Sequence, residues 1–249
     1  MTRVCIHQPD FLPWLGFFDR LVDTDVYVML DDVQFLRRGF HHRDRIKTAQ
    51  GTPWLTVPVV RGPRRQRIDE VEIAPGAAMG KLVATLRHAY RRAPFFGTIF
   101  PLLADVLTAE HRRLVDLNRA LIDHVLGVLD ISVAMVSAAT FATSLRGTER
   151  LTFLTEAVGG THYVTGTGSL DYLDRHAFAA AGIELEIRRY PDAPYRQLHG
   201  PFVPRLSVVD ALFNLGPEQT RARLGRPGAH PTSPETPRSS AAETVMIAP

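Results

Sequence analysis

The sequence contains a single cysteine among 249 residues, which excludes an internal disulfide framework and any zinc site built from several cysteines. It also lacks a run of 18 consecutive apolar residues, the length that indicates a transmembrane helix. The excess of positive over negative charge is small, because 29 Lys and Arg residues and 26 Asp and Glu residues give a net charge of +3. This small excess does not by itself indicate a nucleic-acid-binding protein. A hydrophobic content of 45% is ordinary for a globular protein and leaves the function open.

The N-terminal residues lack the continuous apolar segment of a signal peptide, since Arg3, His7 and Asp10 interrupt it. We therefore expect a cytoplasmic protein, with no membrane association and with Cys5 reduced. Residues 225–249 are rich in Pro, Ser, Thr and Ala and have no periodic apolar face, so they are predicted to be a disordered tail. Residues 1–224 contain no repeat and no second linker, which predicts a single domain.

Short apolar runs alternate with helical periodicities along this predicted domain. Strands are predicted at residues 4–6, 26–30, 54–60, 131–136, 163–164 and 183–187. Helices are predicted at residues 15–22, 79–90, 114–128, 148–158, 170–181 and 206–215, with Thr108 as the N-cap of the third. Pro58 suggests an edge position or a bulge for the strand that contains it. The alternation predicts a three-layer α/β fold, a mainly parallel sheet with helices on both faces.

Polar residues directly follow three of the predicted strands. Ligands of open α/β sheets bind beyond the carboxyl ends of the strands, so we expect these polar residues to meet in one crevice if the three strands are parallel neighbours. The first strand is followed by His7 and Gln8, the second by Asp31, Asp32 and Gln34, and the strand at 163–164 by the Gly-rich segment Thr165, Gly166, Thr167, Gly168 and Ser169.

Two of these residues are candidates for proton transfer. Asp31 and Asp32 are adjacent on an extended segment and should point to opposite sides, so one of them, Asp32, is predicted to face the crevice. Its carboxylate would serve as a general base, a metal ligand or an amine-binding group, although Asp also commonly begins a turn. His7 is a candidate general acid or base, or a structural residue. Gln8 and Gln34 are better suited to orient a substrate than to transfer protons.

Two other side-chain types are weaker candidates. Cys5 lies within an apolar strand, where burial should raise its pKa and leave little reactive thiolate. His41 and His42 are adjacent, which is a poor spacing for joint chelation of a metal, so no metal site is predicted.

A basic stretch follows the second and third strands. The guanidinium group of arginine binds phosphate through two parallel hydrogen bonds. The expected partner is therefore a phosphate-bearing small molecule or a donor linked to a carrier by phosphopantetheine. Arg43 and Arg45 are the preferred anion-binding residues, with a solvated basic face as the alternative. The Gly-rich segment 165–169, leading into a helix predicted to begin near Leu170, would also suit an anion. The Walker lysine and the dinucleotide-binding fingerprint are absent, so the cofactor stays unknown.

The ordered motifs of this chain resemble those of the WbqC-like protein family. They are IHQPDFLPWLGFF, LDDVQF, RDRIK, GTPWLTVPV, AYRRAPFF, YVTG, GIELE and LSVVDALFNLG, spread over residues 3–217. The resemblance implies a role in bacterial polysaccharide or specialised-metabolite biosynthesis, with an acyl or aminoacyl transfer to an amine such as an amino sugar. The family pattern maps onto Gln8, Pro13, Trp14, Gly16, Asp32, Gln34, Arg43, Gly166 and Asn214. This chain departs from it at His42 and Asp44, where the family usually has Asn, and at Leu82, where it often has His.

The sequence thus favours a transferase in which Asp32 or His7 takes a proton from an amine. In this hypothesis Arg43 and Arg45 hold a phosphate, and Trp14 forms a wall of the pocket. Gln8, Gln34 and Thr165 would orient the acceptor beside Gly166. The alternative is a non-catalytic binding or scaffold protein for a carrier protein or a sugar nucleotide. Nucleic-acid binding through the arginines is less favoured, and the sequence does not indicate an oligomeric state.

Overall fold

The computed structural model describes residues 1–170 and 173–225, so nearly all of the predicted tail lies outside the described residues. A five-stranded parallel sheet runs in the order β5-β2-β1-β6-β7. Its strands are β1 (Arg3–His7), β2 (Val26–Met29), β5 (Ala134–Ser137), β6 (His162–Gly166) and β7 (Glu184–Arg188). The other two strands, β3 (Arg43–Arg45) and β4 (Trp54–Thr56), form a separate antiparallel ribbon.

Helices cover both faces of the sheet, which confirms the predicted three-layer α/β fold. Alternate residues of a strand point to opposite faces, so Cys5 packs in the larger apolar cluster and Ile6 in the smaller one. The larger cluster includes α1 (Leu15–Asp19), α2 (Ala78–Tyr90), α3 (Phe96–Thr108), α4 (Leu114–Val128) and α7 (Val208–Arg221). The smaller cluster includes α5 (Gly147–Ala157) and α6 (Arg175–Ala180). None of the described helices is both long enough and apolar enough to cross a membrane.

The sequence patterns missed α3 and assigned Thr108 wrongly. Thr108 is the last residue of α3, and Arg113 is the N-cap of α4. Pro101 lies inside α3, where its missing N–H removes one helical hydrogen bond and obscures the helix in the sequence. Ile99, Phe100, Leu103 and Leu107 are nevertheless buried, so tertiary packing stabilises this helix.

Several further boundaries differ from the prediction: α1 ends at Asp19, β5 begins at Ala134, and α7 runs from Val208 to Arg221. β4 ends at Thr56, so Pro58 lies beyond the strand rather than within it. The helix expected from about Leu170 begins only at Arg175, where Asp174 caps it by accepting hydrogen bonds from the backbone of His176 and Ala177. Residues 167–169 form a short 3-10 turn instead.

The strand order brings the three polar clusters of the sequence to one edge of the sheet. β1 lies between β2 and β6 and pairs with both in parallel. The carboxyl ends of these three strands therefore open on the same crevice, as the sequence argument required.

Candidate active site

His7 ends β1 and carries an imidazole with one nitrogen free. Its Nδ1 lies 2.9 Å from the carbonyl oxygen of Gln8, which accepts a hydrogen bond, so Nδ1 carries the proton and Nε2 is the basic nitrogen. No described residue hydrogen-bonds to Nε2. Burial and the nearby Arg20 guanidinium lower the pKa of His7 to about 3, so the ring is neutral near pH 7. The edge of the ring contacts Phe17, with the ring centroids 5.4 Å apart.

Asp10 lies beside His7, with a carboxylate oxygen 3.8 Å from Nδ1. Burial raises the pKa of Asp10 to about 7, although the positive charge of Arg20 opposes the shift. This carboxyl group therefore exchanges its proton near neutral pH, as a general acid or base must. Asp10 was not among the candidate residues selected from the sequence.

Arg20 directly follows α1 and was also not among the candidate site residues selected from the sequence. No described carboxylate lies within ion-pairing distance of its guanidinium, and its Nε is buried without a hydrogen-bond partner. The guanidinium carbon lies 5.8 Å from the centre of the Phe17 ring. Arg20 as a whole is partly buried. A partly buried cation without a counterion has a desolvation cost, and an anionic ligand is a common reason for a protein to retain one. In the sequence Arg20 is a single arginine at the end of a short helix, which carries no signal of this role.

Gly166 ends β6 and leaves the space that the Arg20 guanidinium occupies. A Cβ atom added at Gly166 would lie 2.7 Å from Nη1 of Arg20, closer than real contacts allow. The residue has φ −93°, so the need for glycine here is steric rather than conformational. Glycine at this position therefore brings Arg20 against the ends of β1 and β6.

We call His7, Asp10, Arg20 and Gly166 the crevice site. The His7 and Asp10 side chains are each 13% exposed, so they lie in a poorly solvated position that still touches solvent. The site combines a neutral imidazole, a carboxyl group that titrates near pH 7 and a guanidinium without a carboxylate partner among the described residues. Such a set can move a proton next to a bound anion.

Gln8 is buried behind the site and holds a loop in place. The backbone N–H of Leu36 donates to Nδ1 of His41 at 3.2 Å, so His41 Nε2 carries the proton and donates to Gln8 Oε1 at 2.9 Å. Asn118 adds a second tie, because its amide donates to the carbonyl oxygens of Pro9 and His41, each at 2.7 Å. Gln8 thus fixes the backbone that carries His7 and Asp10.

Asp31 and Asp32 point to different partners, as expected for adjacent extended residues. Asp31 accepts a hydrogen bond from the Ser137 hydroxyl at 2.6 Å, at the end of β5. Asp32 pairs with Arg150 of α5, whose Nη2 lies 2.6 and 2.5 Å from its two carboxylate oxygens. Both side chains of this ion pair are 15% exposed. Arg150 thus occupies both carboxylate oxygens of Asp32, whereas His7 Nε2 has no hydrogen-bond partner among the described residues.

The remaining predicted binding residues on the β2 side have partners of their own. Gln34 donates to the carbonyl oxygen of Arg64 at 3.0 Å. Arg43 donates to the carbonyl oxygens of Arg38 and Gly39 and stacks on Trp54, with its guanidinium carbon 4.2 Å from the ring centre. Arg45 donates to the carbonyl oxygen of Arg205 at 3.4 Å. The structure therefore does not place Arg43 or Arg45 beside His7.

Trp14 precedes α1, and Thr165 is the penultimate residue of β6. Gly16 lets the indole fold back over α1, since a Cβ there would lie 2.3 Å from the Trp14 ring. Trp14 lines a small cavity with Tyr190 and Arg205, and its volume of about 10 Å³ holds about one water molecule. The Thr165 hydroxyl is buried and shares a hydrogen bond of 2.8 Å with Ser169.

Other residues selected from the sequence are buried in structural positions. Cys5 is 2% exposed, and burial raises the pKa of its thiol, as predicted. The three departures from the family pattern, His42, Asp44 and Leu82, are all buried, and Leu82 packs in the larger apolar cluster. Within residues 1–170 and 173–225, no group of three His, Cys, Asp or Glu side chains is placed to hold a metal ion.

Comparison with known proteins agrees with the sequence motifs. The profile of the WbqC-like protein family matches residues 8–222. The chain is 35% identical over 222 residues to a protein of Mycobacterium tuberculosis (strain ATCC 25618 / H37Rv) named "Uncharacterized protein Rv1507c". That alignment covers 88% of this chain and 96% of the relative. No solved structure matches the chain significantly.

Proposed function

The chain belongs to the WbqC-like protein family, and we propose that it is a group-transfer enzyme that moves an acyl or aminoacyl group onto an amine, such as an amino sugar. The observation that carries the proposal is the juxtaposition of His7 and Arg20 at the ends of β1 and β6. His7 offers an unpartnered basic nitrogen, and Arg20 offers a guanidinium without a carboxylate partner in the described chain. The family resemblance supports the choice of acyl transfer over other group transfers.

The proposed reaction needs an activated donor, either an acyl phosphate or an acyl thioester. The amine nitrogen of the acceptor attacks the acyl carbon and forms a C–N bond, and the C–O or C–S bond to the leaving group breaks. His7 Nε2 takes the proton that the amine loses. The protonated Asp10 carboxyl donates a proton to the departing phosphate or thiolate, and His7 later returns a proton to Asp10 or to solvent.

Arg20 acts on the anionic part of the donor or acceptor. A guanidinium binds phosphate or carboxylate with charge-assisted hydrogen bonds, and these are stronger in a poorly solvated site. A bound anion would also offset the positive charge that lowers the pKa of His7, and so would make the imidazole a better base. Ligand binding thereby prepares the site for proton transfer.

The proposal narrows one assignment of the sequence hypothesis and replaces another. Of the two proton acceptors in that hypothesis, Asp32 and His7, the proposal retains His7, because the Asp32 carboxylate is paired with Arg150. The proposed anion-binding residue is Arg20 rather than Arg43 or Arg45, whose guanidinium groups contact backbone carbonyl oxygens. Asp32 keeps a role in the proposal as a positioning residue, since its ion pair ties α5 to the end of β2.

Anion binding is the first test, since it needs no knowledge of the full substrate. Isothermal titration calorimetry with inorganic phosphate, pyrophosphate and a uridine diphosphate sugar should show saturable binding to the wild-type protein. Arg20→Gln should raise Kd about tenfold or more, the loss expected for one charge-assisted contact. Arg119→Gln is the matched control, because Arg119 is exposed on α4. An unchanged Kd in Arg20→Gln would remove this residue from the proposal.

Turnover is the second test. The protein is incubated with aminoacyl phosphates or aminoacyl-phosphopantetheine and a panel of amino sugars, and the acylated amine is detected by mass spectrometry. His7→Gln should lower kcat by about 100-fold or more with a smaller effect on KM. Saturable binding with no product from any donor would instead favour the non-catalytic alternative.

A further inference from the structure

A segment rich in arginine contributes a basic surface outside the crevice site. Residues 36–67 contain nine Lys and Arg and one acidic residue, a net charge of +8, whereas the whole chain carries +3. The rest of the chain therefore carries −5. The single acid of the segment, Asp44, is buried and does not offset the charge at the surface.

Hydrogen bonds gather three loops of this segment into one patch. Arg37 donates to the carbonyl oxygen of Gly62 at 2.9 Å, and Gln34 donates to that of Arg64, so the loop after β2 lies against residues 61–67. The Phe40 ring lies 5.7 Å from that of Trp54, which joins the same loop to the β3–β4 ribbon. We call this surface the basic aromatic patch; it comprises Arg37, Arg38, Phe40, Arg43, Trp54, Val60, Arg61, Arg64 and Arg65.

The patch exposes both apolar side chains and guanidinium groups without carboxylate partners among the described residues. Phe40, Trp54 and Val60 are 47%, 41% and 43% exposed, and they are three of the seven large hydrophobic residues exposed in the described chain. Arg38, Arg61, Arg64 and Arg65 are also exposed, and none of them forms an ion pair with a described carboxylate. Trp and Arg together are typical of residues that dominate binding at protein interfaces.

We propose that the basic aromatic patch docks a protein partner that presents an acidic, amphipathic surface. Carboxylates on the partner would complement the guanidinium groups that have no carboxylate partner in the described chain. Apolar side chains on the same face of the partner would bury Phe40 and Trp54. A nucleic acid is less favoured, because Arg43 stacks on one face of Trp54 and the Phe40 ring packs against the same indole, which reduces the ring surface open to base stacking.

The patch borders the loop that supports the crevice site. The backbone N–H of Phe11 donates to the carbonyl oxygen of Phe40 at 3.0 Å, and the next residue, His41, donates to Gln8. A protein docked on the patch would therefore lie next to residues 8–11, from which Asp10 extends into the site. The docking proposal concerns a separate surface and does not depend on the reaction proposed for the crevice.

The two tryptophans of the chain provide the test, because Trp54 lies in the patch and Trp14 lies outside it. The protein is labelled with 5-fluorotryptophan, and Trp54→Phe assigns the two ¹⁹F resonances. The probe is a 20-residue helical peptide with a Leu face and a Glu face, and its counterpart carries Lys in place of Glu. The proposal expects the acidic peptide to shift the Trp54 resonance in a saturable manner while the Trp14 resonance and the basic peptide show no effect.

Charge-reversal variants distinguish binding at the basic aromatic patch from non-specific electrostatic attraction to the protein. The double variant Arg64→Glu and Arg65→Glu should weaken the acidic peptide about tenfold or more, whereas Arg119→Glu on α4 should change Kd less than about twofold. The proposal is overturned if the acidic peptide does not bind or if Trp54→Ala leaves its Kd unchanged. It is also overturned if a 20-nucleotide oligo(dT) binds the patch more tightly than the peptide does.

Discussion

Replacing Asp10 with asparagine tests whether burial controls the protonation of the crevice site. The pKa of Asp10 is raised to about 7 in the folded protein, against 3.8 in the unfolded chain. Folding therefore favours the protonated form, and the free energy of unfolding contributed by this group falls as pH rises from about 4 to about 7. A shift of about 3 pKa units corresponds to about 4 kcal/mol at most, because each unit is worth about 1.4 kcal/mol.

Asparagine occupies nearly the same volume and cannot ionise, so it removes this loss of stability. We expect Asp10→Asn to unfold with nearly the wild-type free energy at pH 4 and to be more stable than wild type by several kcal/mol at pH 8. Other groups titrate in the same range, among them His7 and His41, whose lowered pKa values make stability fall as pH drops below about 6.5. Comparing the two proteins at each pH cancels most of these contributions.

The assay is urea denaturation followed by circular dichroism at intervals between pH 4 and pH 8. Asp105→Asn is the control, because Asp105 is an exposed carboxylate on α3 and its replacement should leave the pH dependence unchanged. A stability difference between Asp10→Asn and wild type that is the same at pH 4 and pH 8 would refute the reasoning. It would mean that Asp10 ionises as an exposed carboxylate does.

Three further predictions concern the surroundings of the site. Asp32→Asn should lower the free energy of unfolding by about 3 kcal/mol in chemical denaturation, because it leaves the charge of Arg150 without its partner. Adding Arg150→Met should recover part of this loss. An unchanged denaturation midpoint would show that the ion pair contributes nothing to stability. Gly166→Ala should weaken phosphate binding about tenfold, because the added Cβ displaces the Arg20 guanidinium. Gly127→Ala is the control and should leave binding unchanged, because a Cβ at that position meets no atom within 4 Å. Equal calorimetric Kd values for the two variants would contradict this prediction. The imidazole of His7 should stay neutral down to about pH 4 in ¹⁵N NMR, with the proton on Nδ1, and titration near pH 6.5 would argue against its burial.

The sequence patterns predicted the sheet better than they predicted the helices. β1, β2, β6 and β7 are short apolar or alternating runs bounded by polar residues and glycine, and these signals are local. α3 was missed because Pro101 breaks its local signal, and packing of its buried residues outweighs that penalty. α6 begins at Arg175 rather than near Leu170, where Asp174 provides the cap.

The sequence selected some residues of the crevice site and not others. His7 and Gly166 were selected because they end apolar strands, and the structure shows that these two strands, β1 and β6, are parallel neighbours. Asp10 and Arg20 were not selected: Asp10 lies within the motif IHQPDFLPWLGFF and Arg20 just beyond it, but their properties depend on burial and on distance from other charges, which the motif does not show. Asp32 was selected for its place in the sequence, but its partner Arg150 lies 118 residues further along the chain.

The sequence by itself determined the α/β class, the polar residues that follow the strands, and the family. These three features depend on local periodicity and on residue order, and both are properties of the sequence alone. Only the tertiary structure decided which charged groups are paired and which are left without a partner. Ion pairing and burial are properties of residues brought together from distant parts of the chain, as Arg20 and Gly166 are, and no local pattern encodes that contact.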